Sequence, residues 1–124
     1  MATLKTHTEP ANRYRGVLAG SALAGETVRN PAGELLGQIQ DIMLDLPTGR
    51  IAYAVLAFVA KQKLFAIPWT NLKRDEARNC FVLEADKSRL ETAPGFDRNN
   101  WPDMADSFWG TGVYRYHDAV PYYI

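Results

Sequence analysis

Asp45-Leu46-Pro47-Thr48-Gly49-Arg50-Ile51-Ala52-Tyr53-Ala54-Val55-Leu56-Ala57-Phe58-Val59-Ala60-Lys61-Gln62-Lys63-Leu64-Phe65-Ala66-Ile67-Pro68-Trp69 reads as a turn, a strand, a short polar connection and a returning strand. In the turn, Pro47 suits an early position because its ring fixes φ, Gly49 suits a later position that needs positive φ, and Thr48 can bond the local backbone. The strand from Ile51 to Val59 is rich in residues that favour extended chain, and it is apolar on both faces: Ile51, Tyr53, Val55 and Val59 on one, Leu56 and Phe58 on the other. Both faces must therefore be covered. Lys61-Gln62-Lys63 connects it to Leu64-Phe65-Ala66-Ile67, which Pro68-Trp69 ends, because proline cannot donate to a ladder.

Outward from this hairpin, the punctuation is that of short strands. Asn30-Pro31-Ala32-Gly33 is a turn between Thr27-Val28-Arg29 and a long strand from Leu36 to Leu46. Gly37 lies inside that strand, where a missing side chain marks a bulge or sharp bend. Downstream, Asn71 to Asp75 leads through the polar turn Glu76-Ala77-Arg78-Asn79 to a strand from Cys80 to Leu83. Asp86 is a good N-cap for one helical turn through Leu90, ended by Pro94-Gly95, and Pro102 opens a second short helix that stops at Gly110. More than half of the aromatic rings follow Pro94: Phe96, Trp101, Phe108, Trp109, Tyr114, Tyr116, Tyr122 and Tyr123. Exposed ring surface is costly, so this segment is expected to wrap onto the barrel or a partner. Three parts result: a flexible tail (1–16), a barrel domain (17–85) and a C-terminal extension (86–124).

At 124 residues the chain is one domain's worth. Lys plus Arg and Asp plus Glu both number 14, so no net field concentrates nucleic acid, and DNA binding is not expected. The one cysteine, Cys80, lies in the apolar run Cys80-Phe81-Val82-Leu83 and reads as a buried thiol in a reducing compartment. The run Val17 to Ala24 behind Arg13 and Arg15 superficially resembles a signal peptide, but Gly20 and Ser21 break it and cleavage there would cut the first structural element. No stretch approaches the roughly 20 apolar residues that span a bilayer, so a cytoplasmic location is expected.

Three motifs in order carry a family resemblance: Leu23-x-Gly25-x-x-Val28-x-Asn30-x-x-Gly33-Glu34-x-Leu36-Gly37-x-Ile39-x-Asp41, then Asp45-x-x-Thr48-Gly49-Arg50-Ile51-x-Tyr53, then Lys63 to Trp69. The chain resembles the PRC-barrel family over about residues 18 to 85; the family is named for the cytoplasmic barrel of the photosynthetic reaction-centre H subunit and is found also in a ribosome-maturation factor. The stretch from Ala93 to Gly110 resembles the extension on stand-alone bacterial members. The resemblance implies an all-β, SH3-like barrel of about six strands with short C-terminal helices and an extended aromatic tail. It implies a protein-interaction or assembly module with no catalytic residue, cofactor or metal to carry over. Stand-alone relatives often have a longer glycine-rich loop where this chain has only Ala60-Lys61-Gln62.

Chemistry is thin. Neither His7 nor His117 has cysteine or carboxylate partners at metal-ligand spacing. His117 and Asp118 form a base and its orienting partner only if neighbours in extended chain turn to meet. Gly110-Thr111-Gly112 lacks the strand and helix context of a dinucleotide fingerprint and reads as a C-cap and turn. Asp41 with Asp45, and Asp103 with Asp106, are conceivable cation ligands; the better reading makes Asp45 a turn opener, Asp103 a first-turn helix residue and Asp41 an ion-pair partner. Lys61, Lys63, Lys73, Arg74 and Arg78 form a basic rim interrupted by Asp75 and Glu76. Trp69 is expected to plug one end of the barrel.

The function expected is therefore non-enzymatic protein binding, with self-association as a homodimer because the doubly apolar strand and aromatic tail exceed what a small interior absorbs. The candidate interaction surface comprises Tyr53, Leu56, Phe58, Lys61, Lys63, Phe65, Trp101, Trp109, Tyr114 and Tyr116. The alternatives are an accessory subunit of a membrane redox or photosynthetic complex, and an RNA- or ribosome-assembly factor.

Overall fold

The computed structural model describes residues 13–14 and 17–121. Its strands are β1 (Arg13–Tyr14), β2 (Val17–Leu18), β3 (Thr27–Arg29), β4 (Leu35–Asp45), β5 (Arg50–Phe58), β6 (Leu64–Pro68), β7 (Leu72–Asp75) and β8 (Cys80–Leu83). Its helices are α1 (Gly20–Leu23), α2 (Lys87–Glu91) and α3 (Ser107–Tyr116), and a 3-10 turn (Trp69–Asn71) joins β6 to β7. Among the described residues, β1 and β2 pair with each other and the rest form a curled six-stranded sheet in the order β6-β5-β4-β3-β8-β7. All pairs in that sheet are antiparallel except β3 with β8. The six-stranded all-β class is the one that the family resemblance implied, and the curled sheet forms a half-barrel. Most of the tail expected at 1–16, and Tyr122 and Tyr123, lie outside the described residues.

Local chemistry sets the turns. In the β3–β4 turn, Gly33 has φ +90° and its N–H donates to Asn30 O at 2.9 Å. The buried Asn30 side chain completes it, accepting from Glu34 N at 2.9 Å and donating to Glu34 Oε1 at 2.7 Å. In the β4–β5 turn, Gly49 has φ +72° and donates to Asp45 O, while Thr48 Oγ1 donates to Asp45 Oδ2 at 2.6 Å. Asp45 thus opens the turn as expected.

Curvature comes from irregular register. β4 carries an unpaired residue between Ile39 and Asp41, and β5 one between Tyr53 and Ile51. Each bulge bends the sheet and increases its twist. Gly37 permits the closest approach: a Cβ built there would sit 2.0 Å from Ala57 O. No L side chain is compatible with that geometry without parting β4 from β5.

The sheet encloses a core of Leu36, Ile39, Leu56, Phe58, Phe65, Ile67, Phe81 and Leu83, closed at one side by Leu90 of α2. The outer face of β5 and β6 carries a second cluster, Ala52, Tyr53 and Ala66, which Val113 and Tyr114 of α3 cover. Tyr114 donates its hydroxyl to Ala52 O at 3.0 Å, satisfying a carbonyl at the β5 bulge.

Helix α3 corrects two expectations. It begins at Ser107, with Asp106 rather than Pro102 at its start, and the Asp106 side chain accepts from Phe108 N at 3.0 Å. It does not stop at Gly110: Gly110-Thr111-Gly112 lies within it, and Val113 to Tyr116, expected as extended tail, form its last turn. Packing of Trp109, Val113 and Tyr114 against the sheet overrides the poor helix propensity of that tripeptide. Among the described residues, no helix is long and apolar enough to cross a membrane.

Candidate interaction surface

The residues expected to form a contact surface divide by burial. Tyr53, Leu56, Phe58, Phe65 and Tyr114 are interior side chains, each 3% exposed or less. Leu56, Phe58 and Phe65 fill the barrel, where the rings of Phe58 and Phe65 meet edge to face at 5.7 Å. Tyr53 takes Trp109 at 5.3 Å and Tyr114 at 5.4 Å on its outer side. The second apolar face of β5 is thus covered within the chain, and these five side chains are unavailable to a partner in this conformation. The sequence shows that β5 needs cover twice; it does not show which segment supplies it.

The other five lie further out. Trp101 is 37% exposed, its indole N–H donating to Arg98 O at 2.8 Å and its ring against Phe96. Trp109 and Tyr116 are half-buried. Tyr116 donates its hydroxyl to Arg89 O at 2.6 Å and lies under the Arg89 guanidinium, 4.9 Å from ring centre. Lys61 donates to Glu91 O, and Lys63 stands 3.8 Å from Asp97.

The basic rim is largely neutralised. Arg74 pairs with Glu26 at 2.5 Å and Arg78 with Asp75 at 3.7 Å, so the positive charge does not gather into a phosphate-tracking stripe. Asp41 accepts from Ile42 N at 2.8 Å instead of forming the ion pair expected of it. Asp103 accepts from Ala105 N at 3.0 Å, ahead of α3. Among the described residues, no three His, Cys, Asp or Glu side chains converge as metal ligands.

Among the recesses lined by described residues, two differ sharply in character. A polar cleft of about 820 Å³ is lined by Asn71, Lys73, Arg74, Glu84, His117 and Asp118 among others, with both signs of charge. His117 caps the C-terminus of α3, and its carbonyl accepts from Asn71 Nδ2 at 3.0 Å. Burial, and after it the Arg89 guanidinium, push the imidazole down from 6.5 to about 4, against the opposing pull of Asp118. The Asp118 carboxylate reaches Arg89 at 3.3 Å. His117 is therefore a neutral helix-end residue at pH 7.

The second recess is apolar. It holds about 380 Å³ at the open mouth of the half-barrel, between Val17 and Leu18 of β2, Ile51 of β5, Trp69, Leu72 of β7 and Phe81 of β8. Its walls follow from the chain path: Pro68 ends β6, and the 3-10 turn swings Trp69 over Phe81, ring centres 5.7 Å apart. Trp69 is half-buried and leaves the mouth partly open, where a complete plug was expected. Arg74 forms the polar lip, its guanidinium 5.0 Å above the Phe81 ring and tied to Glu26 and Asn79. Val17 is 68% exposed, and Leu44, paired with Ile51, is 59% exposed. Leu46, in the turn beyond, is 81% exposed. Sequence reasoning missed this surface because Val17 is remote in sequence from Leu44 and Leu46, and the recess between them is walled by strands that only the curled sheet relates. An apolar side chain in an otherwise polar turn, Leu46 beside Pro47-Thr48-Gly49, was the available signal.

Residues 15–90 match the family described as PRC-barrel domain. No curated protein matches the chain.

Proposed function

Because the chain belongs to the PRC-barrel domain family, whose domains in general mediate protein interactions, we propose that it is a non-catalytic binding module that self-associates through the mouth of its half-barrel. The observation that carries this reading is the apolar recess with the exposed Val17, Leu44 and Leu46. Such residues lose most by staying in water and are rimmed by paired rather than free charge, notably Arg74 with Glu26. A second copy is the occupant we assign. Two-fold pairing sets each apolar patch against its own kind, and two-fold dimers are the commonest soluble oligomers. Lys61, Lys63, Trp101, Trp109 and Tyr116 sit outside this contact in our reading. A reducing, cytoplasmic setting goes with it, since Cys80 is buried without a disulfide partner.

The test is the solution mass by light scattering at micromolar concentration, for the native chain and for a Leu44→Asp, Leu46→Asp variant. Both positions are exposed, so the variant should keep its thermal midpoint. A dimer that becomes monomeric in the variant supports the proposal. A native chain that is monomeric throughout, or a dimer indifferent to both aspartates, ends it.

A further inference from the structure

We infer that α3 is a displaceable cover, which opens from the outer face of β5 and β6 without unfolding of the barrel. The first ground is its own sequence. Gly110, Thr111, Gly112 and Val113 follow one another in its interior, four residues that individually disfavour helix. Gly112 has no structural need to be glycine, since a Cβ there would meet nothing within 4 Å and its φ is not positive. Alanine would fit and would strengthen the helix, so the chain carries a weak helix where a stronger one is sterically free.

The second ground is how the helix is held. Its N-terminal half is seated by Trp109 against Tyr53, while the adjacent Phe108 is 88% exposed. Its C-terminal end is tied by polar contacts at the surface: Arg89 donates to Tyr116 O and meets Asp118, and Thr92 meets the Tyr116 hydroxyl at 2.8 Å. The buried anchors are Val113 and Tyr114. Residues 98–106, which lead into α3, lie outside the strands of the sheet. That segment touches the sheet through Arg98, which donates to Gln40 Oε1 at 2.9 Å, and through Met104 against the Tyr53 cluster. A short, weak helix on few anchors, joined through a segment that adds no strand to the sheet, is the kind of unit that opens locally below the cost of global unfolding. Opening bares Tyr53, Ala52 and Ala66 and lifts Tyr116 from the rim of the enclosed core, whose Leu36, Phe58 and Phe65 stay within the curled sheet.

Native-state amide hydrogen exchange on the full chain, across low guanidinium concentrations, tests this. The amides of α3 should exchange far faster than those of β5, with a weak denaturant dependence, because little surface is exposed by the opening. Gly112→Ala should slow α3 exchange by roughly fivefold, the helix preference of alanine over glycine, and leave β5 unchanged. Tyr114→Phe should speed α3 exchange without altering the denaturant slope for β5. If α3 and β5 share one opening free energy and one slope, or if Gly112→Ala slows both equally, the helix is part of the global unit and the inference falls.

Discussion

Gly37→Ala is the most exacting probe of the sheet. A Cβ at position 37 would stand 2.0 Å from Ala57 O, 2.9 Å from Ala57 C and 3.2 Å from Leu56 Cδ1. The first two are backbone atoms of β5, which cannot rotate away as a side chain can. The strands must part around the pairing of Gly37 with Phe58, beside the bond from Val59 N to Leu36 O. Overpacking of this kind costs about 3 kcal/mol. Losing one ladder hydrogen bond adds about 1 kcal/mol. Alanine returns about 0.5–1 kcal/mol by restricting the unfolded chain. The net loss is about 3 kcal/mol, which for a chain of this size lowers the melting midpoint by on the order of 10 °C. Thermal denaturation followed by far-UV circular dichroism measures it, with Gly112→Ala as the control in which the new methyl meets open space. A Gly37→Ala midpoint within 2 °C of the native one, a margin of about 0.5 kcal/mol, would refute the close approach of β4 and β5.

Three further outcomes follow from the same geometry. The His117 imidazole is neutral in the fold with its pKa lowered from 6.5 to about 4, so the unfolded chain takes up its proton first as pH falls. Stability from this group is full above pH 6.5, declines as pH drops toward 4 and is flat below; His117→Gln should remove that segment of a stability-against-pH curve. Tyr114→Phe removes the hydroxyl from Ala52 O in a buried setting and should cost about 1–2 kcal/mol by denaturant titration, whereas a loss near zero would mean that water replaces the bond. Trp69→Ala should cost about 2 kcal/mol, less than the 3–5 kcal/mol of a fully buried aromatic, because the ring is only half-buried over Phe81.

What could be read in advance follows a physical division. The turns at Asn30–Gly33 and Asp45–Arg50 were legible because proline, glycine and short polar side chains set backbone conformation by themselves, whatever surrounds them. Gly37 was read as a bulge or bend; it is paired on both sides, with Leu36 and Gln40 the unpaired residues near it, and its lack of a side chain serves the close approach of Ala57. Helix α3 was misplaced because Gly110-Thr111-Gly112 does favour a stop locally; contact with Tyr53, remote in sequence, reverses that preference. The candidate surface divided, five side chains interior and five further out, on a related ambiguity. Tyr53 and Tyr114 were recognised as rings that must leave water, but hydrophobicity does not distinguish a partner's surface from the chain's own. The apolar mouth was invisible because its walls come from β2, β5, β7 and β8 at once.

The turn at Trp69–Asn71 has a consequence for where this chain can be altered. It leads directly from one edge of the six-stranded sheet, β6, to the other, β7, so the two free margins are stitched together by three residues. The β6 margin is also partly occupied, since Leu64 and Phe96 exchange both backbone hydrogen bonds, at 2.9 and 2.8 Å. A sheet hemmed in this way offers little raw edge to an incoming strand, which guards against stacking of copies into fibres. It also sets a rule for anyone inserting a tag or a label. Extra residues at the exposed Lys61–Lys63 connection merely lengthen a loop, whereas the same residues between Pro68 and Leu72 would cut the stitch and let the barrel uncurl.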